Sequence, residues 1–339
     1  MPAEWEPHSA TWIAWPHNKS DWPGKFEPIG WVMAEIVRHI AHDERVNILV
    51  NDETAEERAK KFLERAHVQL SNVQFHRYPT NRIWTRDYGP IFLKAGKQKL
   101  AALDWRFNAW AKYNDWRRDD AIPRQIIDAQ RLDSWQPMAN KKRVVLEGGS
   151  IDVNGCGTIL TTEECLLSDV QARNPDLGRE DLEQIFADYL GATHTLWLNR
   201  GIAGDDTHGH VDDLARFVDP NTVVVACETH KDDENHEPLL ENYKRLQHLT
   251  DQDGRPLRVV KIPMPEPVWF DDRRLPASYA NFYIANRRVL VPVFNSANDL
   301  QALNTLQELF PSRHVVPIYC GDFIWGLGAI HCMTQQQPE

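Results

Sequence analysis

The side chains of this 339-residue chain that can do covalent chemistry are gathered in a few short polar clusters. The Cys332 thiol can act as a nucleophile, and the His210 imidazole can donate and accept protons. Carboxylates at Asp87, Glu147 and Asp212 can bind a cation in pairs. Each cluster follows the last apolar run of a loosely repeated unit. Because repeated units that close on themselves bring distant segments together, we expect these groups to meet at one centre.

The polar clusters are rich in glycine and turn-forming residues, which direct side chains toward a cleft. Taken singly, an aspartate beside a turn more often binds its own backbone, and Arg86 can simply pair with Asp87. The shared position of the carboxylates in successive units favours the functional interpretation. The clusters occupy residues 84–90, 147–150, 205–213, 269–272 and 326–332.

Hydrophobic patterning predicts that each unit consists of two strands, an amphipathic helix and a closing strand. The last unit is the clearest, and the two before it repeat the same order. Its predicted elements are strands at 281–284 and 289–293, a helix at 298–309 and a strand at 314–318. The fourth unit has strands at 214–218, 223–227 and 259–262 with a helix at 238–248, and the third has strands at 151–153, 158–161 and 195–198 with a helix at 180–190.

The spacing of the units predicts a single α/β domain over residues 1–339, built as a closed array of ββαβ blocks. A period of roughly 60 to 70 residues gives about five blocks. A doubly wound α/β sheet is the alternative that the pattern leaves open. The first two units carry extra helices and a tryptophan-rich insertion at 105–116. The approximate units are 1–80, 81–146, 147–199, 200–264 and 265–339.

Composition indicates where in the cell the protein is expected and which kinds of partner it favours. The first residues lack the pattern of a signal peptide, and no apolar run approaches the length of a membrane span, so we expect a cytoplasmic protein without a membrane partner. Five cysteines are too few and too scattered for a disulfide framework. The formal charge of −11 disfavours nucleic acid and suits a small cationic partner better.

A second interpretation concerns the histidine cluster. If residues 208–212 form a strand, His208, His210 and Asp212 point to one side and offer two nitrogens and an oxygen to a metal ion. That spacing is similar to the motif of metallo-β-lactamase-like hydrolases, although Asp213 stands where those enzymes have their last histidine. We therefore keep a metallohydrolase as an alternative from another class.

Several motifs, in order along nearly the whole chain, resemble the agmatine deiminase family, also described as peptidylarginine deiminase-like, of the guanidino-modifying or pentein superfamily. The resemblance implies a five-bladed, pseudo-fivefold α/β propeller of ββαβ repeats. The motifs are EPH (6–8), WIAWP (12–16), WTRDYGP (84–90), EGG (147–149), GHVD (209–212) and GAIHCMTQQ (328–336).

The resemblance also implies roles for the reactive residues. Cys332 is expected to be the nucleophile and His210 the general acid and base, with Glu147 as a further catalytic carboxylate beside His210. Asp87 and Asp212 are expected to bind the guanidinium group of the substrate.

Three residues near His210 depart from the family pattern. Asp206 matches a glutamate that contacts substrate in the family, and we expect it to bind substrate despite its shorter side chain. His208 and Asp213 stand where plant-type agmatine deiminases have asparagine.

The expected reaction is hydrolysis of agmatine to N-carbamoylputrescine and ammonia through a covalent amidino-cysteine. No cofactor or metal is expected, because the substrate itself carries the positive charge that a Lewis acid would supply. An arginine or peptidyl-arginine deiminase is the nearest alternative, and a non-catalytic binding module is another. An amine end calls for acids and aromatic surface, whereas a carboxylate end calls for Arg or Lys in the cleft. The sequence favours the amine, and it leaves a homodimer open.

Overall fold

The computed structural model describes residues 1–96 and 99–339. Within those residues the strands form five sheets of three or four strands and two short hairpins, with helices between them. The α/β class predicted from the sequence is therefore confirmed.

The first sheet joins the two ends of the chain. Its first three strands are parallel, and a strand from the carboxyl-terminal segment pairs antiparallel with the first of them. In chain order the elements of this region are β1 (His8–Ala14), α1 (Phe26–Ile40), β2 (Arg45–Leu49), α2 (Glu53–Arg65) and β3 (Val73–His76).

The other four sheets share one order: an antiparallel hairpin, one or two helices, and a strand parallel to the second hairpin strand. The second sheet follows α3 (Thr85–Tyr88) and contains β4 (Ile91–Ala95), β5 (Lys99–Leu103) and, after α4 (Arg117–Asp120) and α5 (Ile122–Gln130), β6 (Asp133–Trp135). A small hairpin of β7 (Met138–Ala139) and β8 (Lys142–Arg143) comes next. The third sheet contains β9 (Asp152–Val153), β10 (Thr158–Thr162) and, after α6 (Glu163–Leu167) and α7 (Arg179–Ile185), β11 (His194–Leu198).

The last two sheets repeat this order. The fourth contains β12 (Ala215–Asp219), β13 (Thr222–Cys227), α8 (His236–Leu246) and β14 (Arg258–Pro263), and the hairpin of β15 (Trp269–Phe270) and β16 (Arg273–Arg274) follows it. The fifth contains β17 (Tyr283–Ile284), β18 (Arg288–Val293), α9 (Asp299–Leu309) and β19 (His314–Tyr319). The final strand, β20 (Gln335–Pro338), completes the first sheet.

The predicted hairpins, helices and closing strands of the last three units are confirmed within a few residues. One helix differs, because the segment predicted at 180–190 is α-helical only to Ile185 and continues as a π-helical turn, Phe186–Leu190. Gly191 then ends it with a φ of 68°. Each of the five larger sheets takes its strands from one stretch of the chain, except that β20, near the carboxyl end, joins the first sheet.

The central strands hold the core because both of their faces are covered. Val223, Val224 and Val225 of β13 are fully buried, as are Val289 and Leu290 of β18. Such strands are continuous apolar runs rather than alternating ones. Within residues 1–96 and 99–339, no helix is both long enough and apolar enough to cross a membrane.

Candidate active site

The structure brings the five sequence-predicted residues Asp87, Glu147, His210, Asp212 and Cys332 into one buried centre. The exposed fraction is 6% for Cys332 and 4% or less for the others. His210 Nδ1 lies 3.7 Å from Asp87 Oδ1 and 4.0 Å from Asp212 Oδ1, while its Nε2 lies 3.7 Å from Glu147 Oε2. The Cys332 Sγ lies 3.8 Å from Asp212 Oδ2. Segments more than 240 residues apart in the chain therefore meet here.

Short turns, rather than strands or long helices, present these side chains. Asp87 lies in the single-turn helix α3, and Glu147 immediately precedes the 3₁₀ turn Gly148–Ser150. His210 immediately precedes another 3₁₀ turn, Val211–Asp213. Cys332 follows the turn Phe323–Gly326 and precedes β20. A backbone hydrogen bond of 3.1 Å from Arg86 N to the Cys332 carbonyl ties two of these segments together.

Residues 208–212 do not form the strand on which the metal-site alternative depended. His208 has a φ of 66°, which interrupts any strand, and its Nε2 lies 3.1 Å from Ser168 Oγ. In the described part of the chain, ligand atoms within 4.8 Å of one another occur instead in two other buried groups: Glu147 with Cys165 and His210, and Asp212 with Asp213 and Cys332. His208 belongs to neither group.

His210 lies among carboxylates but is bonded to none of them. Neither ring nitrogen has a hydrogen-bond partner within the described residues. Burial opposes a charged imidazole, but Asp87 in particular, together with Cys165 and Glu147, raises the pKa of His210 well above its usual range. The ring therefore enters the reaction as an imidazolium whose N–H groups are free to reach a substrate or a water molecule.

Asp87 is oriented by two donors. Trp110 Nε1 donates to its Oδ2 at 2.9 Å, and Gly149 N donates to its Oδ1 at 3.1 Å. Burial raises the pKa of Asp87 to about 7, and the neighbouring Asp212 and Glu147 act in the same direction. The site is thus short of positive charge, which favours a bound cation.

Asn281 fixes the nucleophile, and the sequence analysis missed it. Its Nδ2 donates to Cys332 Sγ at 3.1 Å and to Asp213 Oδ1 at 2.9 Å, while its Oδ1 accepts from the backbone N–H of His331 at 2.9 Å. Burial, and then Asp212 and Asp213, raise the pKa of the Cys332 thiol well above its usual range. The resting cysteine is therefore a neutral thiol. An asparagine directly before the apolar run 282–285 was the only available signal in the sequence.

Glu147 is held by a second residue that the sequence analysis missed. Arg173 Nε donates to both oxygens of Glu147, at 3.1 and 3.3 Å, and both side chains are fully buried. Burial would raise the pKa of Glu147, but Arg173 and then His210 outweigh it and lower the pKa. Glu147 consequently remains a carboxylate beside His210. Nothing in the polar sequence around Arg173 distinguishes it from a surface arginine.

Gly149 leaves the space in which the reactive groups meet. A Cβ atom at this position would lie 2.6 Å from His210 Nδ1 and 2.8 Å from Asp87 Oδ1. We expect Gly149→Ala to fold but to lower kcat/KM by about a hundredfold or more, since displacements near 1 Å at a reacting centre have costs of that order. Steady-state kinetics test this, with Gly191→Ala, remote from the cleft, as the control for general damage. Near-normal activity of Gly149→Ala would contradict the geometry.

A cleft of about 390 Å³ opens beside Cys332 and Asp87. Trp84 and Trp110 form part of its walls. That volume is in the range of small-molecule sites. The planar indole faces offer the aromatic surface that was predicted for an elongated cationic substrate.

Asp206 lines this cleft, but its carboxylate is already occupied. Lys112 Nζ and Arg273 donate to Oδ1 at 2.8 and 2.6 Å, and the Tyr113 hydroxyl donates to Oδ2 at 2.6 Å. Arg82 also lines the cleft. The rim of the cleft therefore carries both signs of charge, and the sequence analysis did not predict the cations.

An α/β fold that gathers a thiol, an imidazole and paired carboxylates in one buried centre, open to a small cleft, defines a hydrolase for a cationic group. The chain belongs to the Porphyromonas-type peptidyl-arginine deiminase family, whose model matches residues 1–338.

Individual relatives agree with this assignment. The chain is 34% identical to an agmatine deiminase of Ectopseudomonas mendocina over 361 residues, covering 100% of this chain and 95% of the relative. Among solved structures it is similar to the agmatine deiminase of Enterococcus faecalis, with a TM-score of 0.91, 32% identity and coverage of 100% and 95% of the two chains. It is also similar to an agmatine deiminase of C. jejuni with substrate bound, with a TM-score of 0.87, 29% identity and coverage of 100% and 96%.

Proposed function

We propose that this protein is an agmatine deiminase, which hydrolyses agmatine to N-carbamoylputrescine and ammonia. The observation that carries the proposal is the buried pair Asp87 and Asp212 beside Cys332 and His210. A guanidinium group stays protonated at physiological pH, and its planar N–H groups match carboxylate oxygens. The full-length likeness to agmatine deiminases supports the same substrate.

The mechanism that we propose has two halves. Guanidinium bound between Asp87 and Asp212 brings a positive charge close to the neutral Cys332 thiol. At about 4 Å and an effective dielectric near 20, such a charge is worth roughly 4 kcal/mol, or about 3 units of thiol pKa. The thiol releases its proton to solvent water, and the resulting thiolate attacks the guanidinium carbon. The bond to a terminal nitrogen then breaks, and His210 protonates the departing ammonia.

The first half leaves an S-amidino thioether on Cys332, with one ammonia released. In the second half His210, now neutral, takes a proton from water, and the hydroxyl adds to the amidino carbon. The carbon–sulfur bond then breaks, and the ureido product leaves as the thiol is restored. Glu147 supports His210 in both halves by stabilising the imidazolium form from 3.7 Å. In this scheme His210 carries out the proton transfers to ammonia and from water.

The pH dependence of this reaction follows from Asp87. Its pKa is raised to about 7 in the free protein, and only the ionised form binds guanidinium. As pH falls through about 7, Asp87 gains a proton, so we expect kcat/KM to fall about tenfold per pH unit on the acid side. A pH profile of kcat/KM for agmatine measures this. A flat profile from about pH 8 to about pH 5 would contradict the role of Asp87.

The rim of the cleft suggests which substrate end it accepts. Asp206 is saturated by donors, whereas Asp21, which also lines the cleft, has an Oδ2 without a hydrogen-bond partner within the described residues. We assign the ammonium end of agmatine to the side of the cleft that holds Asp21. The cations Lys112 and Arg273 favour the second candidate, a deiminase of free arginine or of peptidyl-arginine, whose carboxylate they would meet.

Product formation by the purified protein tests the proposal. Agmatine, arginine, an arginyl peptide and n-butylguanidine would be compared at equal concentrations, with EDTA present throughout. We expect ureido product and ammonia in equal amounts from agmatine, with weaker turnover of n-butylguanidine. Faster turnover of arginine than of agmatine would mean that arginine is the substrate, and the proposed reaction at the guanidinium group would stand. No turnover of any of these guanidines would refute the proposed function.

The five sheets and their shared strand order support a finer description of the fold, in which the chain is a single five-bladed, pseudo-fivefold α/β propeller over residues 1–339. In that description the turns with Asp87, Glu147, His210 and Cys332 come from successive blades and face the axis. We also place the protein in the cytoplasm, which its five free cysteines suit.

A further inference from the structure

A chain of three buried ionisable side chains links the site to the amino-terminal segment. His331 Nδ1 lies 2.6 Å from Asp212 Oδ2, and His331 Nε2 lies 2.8 Å from Glu4 Oε2. Exposed fractions are 0% for Asp212, 1% for His331 and 7% for Glu4. His331 precedes Cys332 in sequence, yet its ring points away from the cleft, toward Glu4. The mechanism above uses neither Glu4 nor His331.

Glu4 is held as a carboxylate by donors on every side. Arg216 and the Ile284 N–H donate to Oε1 at 2.9 and 2.8 Å, and Arg86 donates to Oε2 at 3.0 Å. Burial opposes ionisation, but Arg216, His331 and Arg86 hold the pKa of Glu4 well below its usual range. An ionised Glu4 has no proton to donate, so it can only accept hydrogen bonds.

The contacts of His331 therefore fix its protonation. Both ring nitrogens face carboxylate oxygens at hydrogen-bond distance, so both must carry a proton and the ring is an imidazolium. On the other side of the ring, burial opposes ionisation of Asp212, but the hydrogen bond and the charge of His331 lower its pKa. The same hydrogen bond occupies Oδ2, whereas Oδ1 has no partner within the described residues.

We infer that Glu4 and His331 are positioning residues that keep Asp212 ionised and aim its free Oδ1 at the substrate. The inference rests on the proposed function, since it concerns the carboxylate that binds guanidinium. In this arrangement Glu4, near the amino terminus, acts on the charge of Asp212 through the buried imidazolium of His331.

A pH profile reports the ionisation of Asp212 together with that of the charged groups around Asp212 and His331. Asp212 faces Asp87, His210, Asp213 and Cys332. His331 faces Glu4, beside which Arg86 and Arg216 lie. In the unmodified protein Asp87, with a pKa of about 7, sets the acid limb near neutrality, and Asp21 of the cleft, whose pKa burial raises to about 6, contributes at lower pH.

His331→Gln removes the imidazolium while keeping a hydrogen-bond donor. Without the positive charge, burial and the other acids raise the pKa of Asp212, so a second proton must leave before guanidinium can bind. We expect kcat/KM for agmatine at about pH 7 to fall at least about tenfold. The acid limb should steepen from one proton toward two, and the loss should shrink as pH rises.

Glu4→Gln is the second variant, because it keeps the size of the side chain and removes only the charge that holds the imidazolium. It should move the acid limb in the same direction by a smaller amount. Asp251→Asn is the matched control: Asp251 is also buried, and its Oδ2 accepts from Arg255 Nε at 2.7 Å in the segment between α8 and β14. Its acid limb should stay where it is.

An equal loss of activity at every pH, with an unmoved acid limb, would overturn the inference, because that is the behaviour of a purely structural contact. Imidazole ¹⁵N spectra of the unmodified protein give a test that needs no variant to fold. The inference expects both nitrogens of His331 to carry a proton under the conditions of the activity assay, and one unprotonated nitrogen would refute it. These spectra do not depend on turnover, so they separate failure of this inference from failure of the proposed function.

Discussion

Cys332→Ala is expected to abolish turnover of agmatine, with a loss of at least about 10⁴-fold in kcat. Among the described residues, Cys332 is the thiol that lines the cleft, whereas Cys165, the other thiol near His210, does not. Because the carboxylates remain, the variant should still bind agmatine. Calorimetry of binding and a sensitive ammonia assay measure the two properties separately.

Cys227→Ala is the control for this experiment. Cys227 is a free, partly buried cysteine at the end of β13, on a different strand from any residue of the site. Its variant should retain near-normal activity. Residual turnover in Cys332→Ala above about a hundredth of the normal rate would remove Cys332 from the nucleophilic role, and a metal-assisted route would become the first alternative to examine.

The parts of the fold that could be predicted are those with a strong local pattern. The elements of the last unit combine a hairpin, a helix of amphipathic period and a closing strand, and α9 and β19 fall within a few residues of their predicted bounds. In such segments the local preference and the tertiary packing agree. The pairing of β20 with β1 could not be predicted, because a polar stretch of glutamines has no strand pattern of its own.

The reactive residues could be predicted because their types are rare and their motifs are ordered along the chain. The residues that hold the reactive side chains in place could not be predicted. Arg173, Asn281 and Glu4 act through buried contacts with residues 26, 51 and 327 positions away. Sequence alone does not show that an arginine or a glutamate is buried, and long-range pairing of charges has no local signature.

The strand that the metallohydrolase alternative required at residues 208–212 is absent for a physical reason. Alternation of histidines and an aspartate is what a strand with one polar face would show, so the pattern favoured a strand. The backbone instead turns at Gly209, whose φ is 93°, and His208 has a positive φ as well. Asp205 stabilises this turn by accepting from the N–H groups of Gly209 and His210 at 2.7 and 3.0 Å. The turn, not a strand, directs His210 to the site.

His210→Asn should lower kcat by about 10² to 10⁴-fold, the usual contribution of a general acid and base. The raised pKa of His210 means that the ring is charged before the reaction begins, so it has a proton for the leaving ammonia. Asparagine keeps a polar group in the same space but has no proton to give. His208→Asn is the matched control: this histidine lies two residues away and should be replaceable with little loss.

The same variant separates the two halves of the reaction. Because His210 serves as acid in the first half and as base in the second, both halves should slow, and no rapid release of one ammonia per protein should precede steady turnover. Rapid-quench measurement of ammonia, with intact mass analysis of the protein, would detect such a burst and the amidino-cysteine that accompanies it. A burst in His210→Asn would mean that the first half proceeds without His210. Ammonia would then receive its proton from another donor, and the Cys332 thiol, which loses a proton in the same half, would be the candidate.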